Sequence, residues 1–340
     1  MKLRLLLLPV VLSACAAALP LAAETCTTQS RMQPAERDGL VRSAQTIAAL
    51  TAANNADGVK ALTMPQFTTD FRGMADTIRS ASPHLGNASF VPNTLWLLDA
   101  STAKLGPDGS PQDAQFFCNL NGGASQVNFL IPALPPGKYG MVVLDAVGGA
   151  DPYQVATLLR ENAPGQWQLG GLFARATTVN GHDGVWYWKT ARDYAAKKQG
   201  WNAFAYYTEA ESLLRPVSFL TSPHLERLAD ERTKAAPAAL SNGVSTSQPL
   251  VIGDGKGAEI RVTSLGAEKA PGNGGIDLLA HVRADTQLND PVASRARNLA
   301  AAKAIVAAYP ELRSAFHGVW VVSEFADGTT YISEEAMTAL

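Results

Sequence analysis

The sequence predicts an α+β protein: N-terminal helices, a curved antiparallel sheet, a helical hairpin, and then a separate ββαββ domain. Three observations carry this. Apolar residues recur at helical spacing from residue 34 to about 80. Six short apolar runs between Gly, Pro, Asn and Asp clusters then fill residues 94–175. Beyond residue 258, alternating strands bracket one long helix. Helices first and strands after is the signature of segregated α and β layers rather than of βαβ repetition.

Residues 1–23 read as a signal peptide. Lys2 and Arg4 precede an apolar run from Leu5, and small residues close it at Ala22 and Ala23. Pro9 and Pro20 interrupt that run, which argues against a membrane-spanning helix. The stretch "LSAC" at 12–15 resembles the lipobox of bacterial lipoproteins. A lipoprotein signal ending before Cys15, with lipidation of Cys15, therefore stands beside cleavage after Ala23. Either route leaves Cys26 and Cys118 as the only cysteines free to pair. Export to an oxidising compartment favours a disulfide between them, with two unpaired thiols as the alternative.

Residues 24–182 are expected to form the first domain. Leu40, Ala44, Ile47, Ala48 and Thr51 share one helical face, and Phe67, Phe71, Met74 and Ile78 share another. The runs "NTLWLLDAS", "AQFFCNL", "QVNFLIPAL", "KYGMVVLDAV", "YQVATLLREN" and "GQWQLGGLFAR" follow as strands. Residues 183–235 then read as a helical hairpin with a third helix. Asp183 caps the first helix, and Ser222 with Pro223 opens the third. The hairpin's buried face is expected against the preceding sheet. Residues 236–257, rich in Ala, Ser, Gly and Pro, read as a linker. In 258–340 the helix is capped by Asp290 with Pro291 following, and Val292, Leu299, Ala302 and Val306 are its expected buried face.

Two stretches carry family resemblances. Tyr187, Ala191 and Tyr194, then Ala203, Tyr207 and Ala210, resemble the spacing of one tetratricopeptide (TPR) repeat over residues 184–217. Pro216 and Gly200 are displaced from that pattern. "LPPGKYGMVVL" is similar to the turn and strand of transthyretin-like sandwiches, and the meander ending in "GQWQLGGLFAR" resembles the NTF2-like cone. The NTF2-like resemblance implies a ligand pocket under the curved sheet. It does not by itself imply a function.

Composition excludes several classes. Charged residues are 17% of the chain, net charge is −2, and no basic block exists to neutralise phosphates, so no nucleic-acid partner is expected. The chain has no H-x-x-x-H, H-E-x-x-H or G-x-S-x-G motif and no phosphate loop, so neither a metal site nor a cofactor is expected. His182-Asp183 is the sharpest polar pair, but Asp183 serves better as a helix cap than as a ligand.

What remains is aromatic. Trp186, Trp188, Trp201 and Tyr206 on the hairpin form the candidate interaction surface. The function expected is therefore non-catalytic: binding or assembly in the periplasm or cell envelope. The partner would be an envelope protein or a small apolar or glycan ligand, with membrane contact only through a lipid anchor at Cys15. The alternative is an envelope hydrolase or isomerase with an NTF2-like pocket, for which Asp99 and Asp145 are the best acid–base candidates.

Overall fold

The computed structural model describes residues 24–120, 125–240, 244–253, 257, 259–270, 275–285 and 290–340. The stretch read as a signal peptide, with Cys15 expected as a lipidation site, and parts of the 236–257 segment lie outside the described residues.

The molecule is an α+β protein. Its first sheet combines β1 (Thr25–Thr28), β2 (Ser89–Asp99), β5 (Lys138–Val147), β6 (Tyr153–Ala163) and β7 (Gln166–Ala176) in that spatial order. Every neighbouring pair is antiparallel. Register shifts between Pro92 and Thr94 and between Leu158 and Leu159 mark bulges, which bend the strands. Successive side chains point to opposite faces. Leu95, Leu97, Val142, Leu144, Val155 and Leu159 therefore enter one core, and Trp96, Leu98, Met141, Val143, Ala156 and Leu158 enter another. A sheet buried on both faces explains why its strands read as continuous apolar runs instead of alternating ones.

Helices α1 (Pro34–Ala52) and α4 (Arg72–Leu85) cover the first face, with the short α2 (Ala56–Ala61) and α3 (Pro65–Thr68) between them. Close approach of α1 requires Gly140. A Cβ there would stand 2.1 Å from Leu40 Cδ2, inside van der Waals contact. The edge of β7 is partly sealed by chain leading into α3, since Leu169 donates to Leu62 O and accepts from Met64 N.

The second face is covered by another sheet. Strands β3 (Ala114–Leu120) and β4 (Ser125–Ile131) form a hairpin that β10 (Leu220–Thr221) extends beside β4. Phe116 and Phe129 are fully buried between the layers. Cys26 on β1 is disulfide-bonded to Cys118 on β3, with Cα atoms 5.3 Å apart, so the bond ties the two sheets together. Phe116, Phe129 and the apolar residues around them thus fill the space between the two sheets.

Two short strands, β8 (Thr178–Val179) and β9 (His182–Asp183), lead into α5 (Gly184–Ala196) and α6 (Gly200–Leu214). Asp183 Oδ1 accepts from Trp186 N at 2.8 Å, the expected cap. Helix α7 (Pro223–Ala235) lies over the hairpin, capped by Ser222 as its hydroxyl accepts from Leu225 N. The hairpin's buried face differs from expectation. Helix α6 packs on the C-terminal unit, not mainly on the sheet before it. Asn202 Nδ2 donates to Glu311 O, Tyr206 Oη to Ala315 O, and Trp201 sits 4.0 Å from Tyr309 between ring centroids. The tie to the first sheet is at the far end of α6. There Arg175 on β7 donates to the carbonyls of Ser212 and Leu213, and burial lowers its pKa to about 10.

The C-terminal sheet runs β11 (Leu250–Gly253), β12 (Glu259–Lys269), β13 (Ile276–Arg283), β14 (Gly318–Glu324) and β15 (Thr330–Ala336). Strand β11 falls within the segment read as a linker. Four residues with little periodicity give no strand signal of their own, and pairing with β12 supplies it. Strands β13 and β14 are parallel and joined by α8 (Pro291–Ala308), which covers one face. Helix α8 buries Ala302 and Val306 of its expected face and half-buries Leu299, but not Val292. Val292 is 77% exposed, whereas Ser294, Asn298, Ala301 and Ile305 are buried. Asn298 extends the buried face, donating to Val321 O at 2.9 Å and accepting from Ser323 Oγ at 2.6 Å. A polar side chain satisfied this way is tolerated in the core.

Candidate functional site

Helix α5 carries the aromatic residues that composition singled out. Its start is fixed by Asp183, and His182 stacks on Trp186 with ring centroids 3.7 Å apart and planes 9° from parallel. Trp186 is 37% exposed and its neighbour Val185 is 44% exposed. Trp188 is held differently. Its indole N–H donates to Glu231 on α7 at 2.8 Å, and the Arg192 guanidinium lies over its ring at 4.6 Å. Glu231 also accepts from Arg192 at 2.7 Å and Arg227 at 2.9 Å. These hydrogen bonds, that from Arg192 foremost, hold its carboxyl down to about 2. One carboxylate therefore clamps two helices and fixes the rotamer of Trp188.

Beside this clamp runs a groove of about 390 Å³. Trp96 and Val127 line it from the two sheets, Val185 and Trp188 from α5, and Leu220 and Leu225 from β10 and α7. Thr94, Ser222 and His224 supply its polar contacts. The Trp96 indole N–H is buried and has no acceptor among the described residues. Such a volume, mostly apolar walls and few polar groups match a small-ligand site.

The other two members of the predicted surface are elsewhere. Trp201 is 8% exposed and Tyr206 is 6% exposed, both packed between α6 and the C-terminal unit. Burial pushes the Tyr206 hydroxyl pKa upward. They are interior because α6 faces a second unit that hairpin spacing alone does not reveal. Asp99 and Asp145 are not among the residues that line the groove either. Asp99 accepts from Ser101 N in a turn, and Asp145 accepts from Asn93 and Gln154 side chains at 2.8 Å each.

Sequence reasoning passed over three histidine pairs. His84 Nδ1 lies 2.6 Å from Asp151 Oδ2, and the His84 ring stacks on Tyr153. All three residues line a cleft of about 660 Å³ whose far wall includes Asn180 and Glu268. His281 Nδ1 lies 2.7 Å from Glu324 Oε1. His317 Nδ1 lies 3.5 Å from Asp277 Oδ1, and burial pushes the Asp277 carboxyl up. Among the described residues, Asp277, His317 and Glu334 form a group that could hold a metal ion. Each pair joins distant strands or loops, so no local motif announces it.

No protein-family model, curated protein or solved structure matches this chain.

Proposed function

We propose that the chain is an exported cell-envelope protein that binds its partner without transforming it, and that the α5–α7 groove is its contact. The observation that supports this is the groove itself: fixed Trp188, exposed Val185 and orphaned Trp96 converge there. A small apolar ligand with one hydrogen-bond acceptor suits these walls. The rotamer of Trp188 is set in advance, which lowers the entropy lost on binding. Export accords with the N-terminal signal pattern and with the Cys26–Cys118 disulfide. No described helix is long and apolar enough to cross a membrane.

The test is native mass spectrometry of the chain isolated from envelope extract, beside a Val185→Asp variant. Val185 is exposed, so the variant should fold. Loss of a co-purifying small molecule in the variant is the expected result. An unchanged ligand complement in both proteins would remove the groove from consideration.

A second reading, an envelope hydrolase or isomerase, is favoured by one observation. An aspartate-oriented imidazole at a cleft can act as a general base, and His84–Asp151 has that geometry. Turnover of envelope metabolites by the parent chain but not by His84→Ala would support it. Equal turnover by both would end it.

A further inference from the structure

We infer that Asp277, His317 and Glu334 form a binding site for a divalent transition-metal ion of the zinc class. One ligand atom from each lies within 4.8 Å of the other two. Asp277 is the second residue of β13, His317 precedes β14, and Glu334 is on β15 directly opposite Trp320. Three neighbouring strands thus present their donors at one end of the sheet.

Two observations separate this group from a chance gathering of charges. Asp277 is fully buried and neither of its carboxylate oxygens has a partner in normal hydrogen-bond geometry; His317, the Trp320 indole N–H and the Gly318 N–H stand near it but offset its burial only in part. A buried carboxylate left so is costly unless something else compensates it. His317 faces it at 3.5 Å, an ion-pair separation longer than a normal N–H···O hydrogen bond. It is close to the edge of a zinc tetrahedron, about 3.4 Å when donors stand roughly 2.1 Å from the ion.

The second observation is Gly318. A Cβ at that position would stand 2.7 Å from Glu334 Oε1 and 3.2 Å from Asp277 Oδ1. Its φ is not in the left-handed region, so the backbone does not require glycine there. Glycine at 318 instead makes room for the Glu335 carbonyl, 2.9 Å from that Cβ, and for the two carboxylates to converge. The donor set selects the ion. One imidazole nitrogen with two carboxylates suits zinc, manganese or iron(II), whereas calcium needs six or more oxygens.

The site also has a location that bears on the cleft. Glu268, which lines the cleft, is the cross-strand partner of Asp277. Three protein donors leave the remaining coordination positions to water or to a ligand atom arriving from that side.

The test is calorimetric titration of the full, chelator-treated chain with zinc chloride. Binding with one-to-one stoichiometry is expected, weakened at least roughly tenfold by His317→Ala, Glu334→Gln or Gly318→Ala. Asp277→Asn serves as the control for folding. It should abolish binding while keeping the metal-free melting temperature at or above that of the parent, because it removes a buried charge that its neighbours compensate only in part. Absence of saturable binding below about 1 mM zinc, or affinities unchanged by all four substitutions, would overturn the assignment. Competition by millimolar calcium would overturn the choice of metal class.

Discussion

Glu209 offers the sharpest measurable consequence of how α6 meets the C-terminal sheet. Its carboxyl is pushed up to about 7, first by burial and then by the charge of Glu268 on β12. Across the hairpin, Glu209 in turn raises the hydroxyl of Tyr187, although burial is the larger cause there. A carboxyl with a raised folded-state pKa binds more protons in the native chain than in the unfolded one. Its contribution to stability is therefore full below about 4.5 and is lost as pH rises towards 7. At about 1.36 kcal/mol per pH unit, the loss between pH 5 and pH 8 is roughly 2–3 kcal/mol. Glu209→Gln keeps the shape and removes the charge. Urea unfolding of parent and variant at pH 5, 6, 7 and 8 gives a double difference from which other titrating groups cancel. The variant's advantage should grow by roughly 2–3 kcal/mol across that range. Parallel stability curves would show that Glu209 is not buried as an uncompensated acid, and the packing of α6 on β12 would need revision.

Three further outcomes follow from the packing. Replacing the disulfide in Cys26→Ser/Cys118→Ala, which opens a cross-link spanning 92 residues, should lower stability by about 2–4 kcal/mol in denaturant titration. Gly140→Ala should destabilise by roughly 1–3 kcal/mol, because its Cβ would meet Leu40. The double variant with Leu40→Ala should be less destabilised than the sum of the two single variants. Asn298→Ala leaves Val321 O and Ser323 Oγ without their partner, and thermal unfolding should show a loss of roughly 1–3 kcal/mol.

What the sequence shows and what it conceals divide along physical lines. The caps at Asp183, Ser222 and Asp290 are legible because a cap needs only the residue and the turn after it. The continuous apolar runs of β2, β5 and β6 are legible as strands, and the structure adds the reason for their continuity, two cores on one sheet. Strand β10, two residues long, cannot be read locally, since its pairing with β4 makes it a strand. Ala302 and Val306 on α8 are legible as core, whereas Asn298 is not, because it is polar in composition but saturated by β14 in place. The His84–Asp151 pair joins residues 67 apart and exists only through the packing of α4 beside the loop before β6.

The hairpin shows most clearly why aromatic content is a poor guide to surface. Its two helices carry similar clusters, yet they serve opposite ends. On α6, Trp201 and Tyr206 are spent on holding the C-terminal unit, where Asn202, Glu311 and Ala315 complete a polar seam around them. On α5, Val185 and Trp186 stay exposed and Trp188 is locked by a carboxylate from α7. A helix that packs on two partners would bury both clusters. This hairpin has its second partner on one side only, so the solvent side of α5 is left to form a wall with Trp96 of the first sheet. The groove is thus a by-product of joining two units through α6, and a ligand bound there would touch elements of both the first sheet and the hairpin. Such a ligand should slow hydrogen exchange in β2 and α5 together. Protection confined to α5 would place the contact on the exposed Trp186 face instead of in the groove.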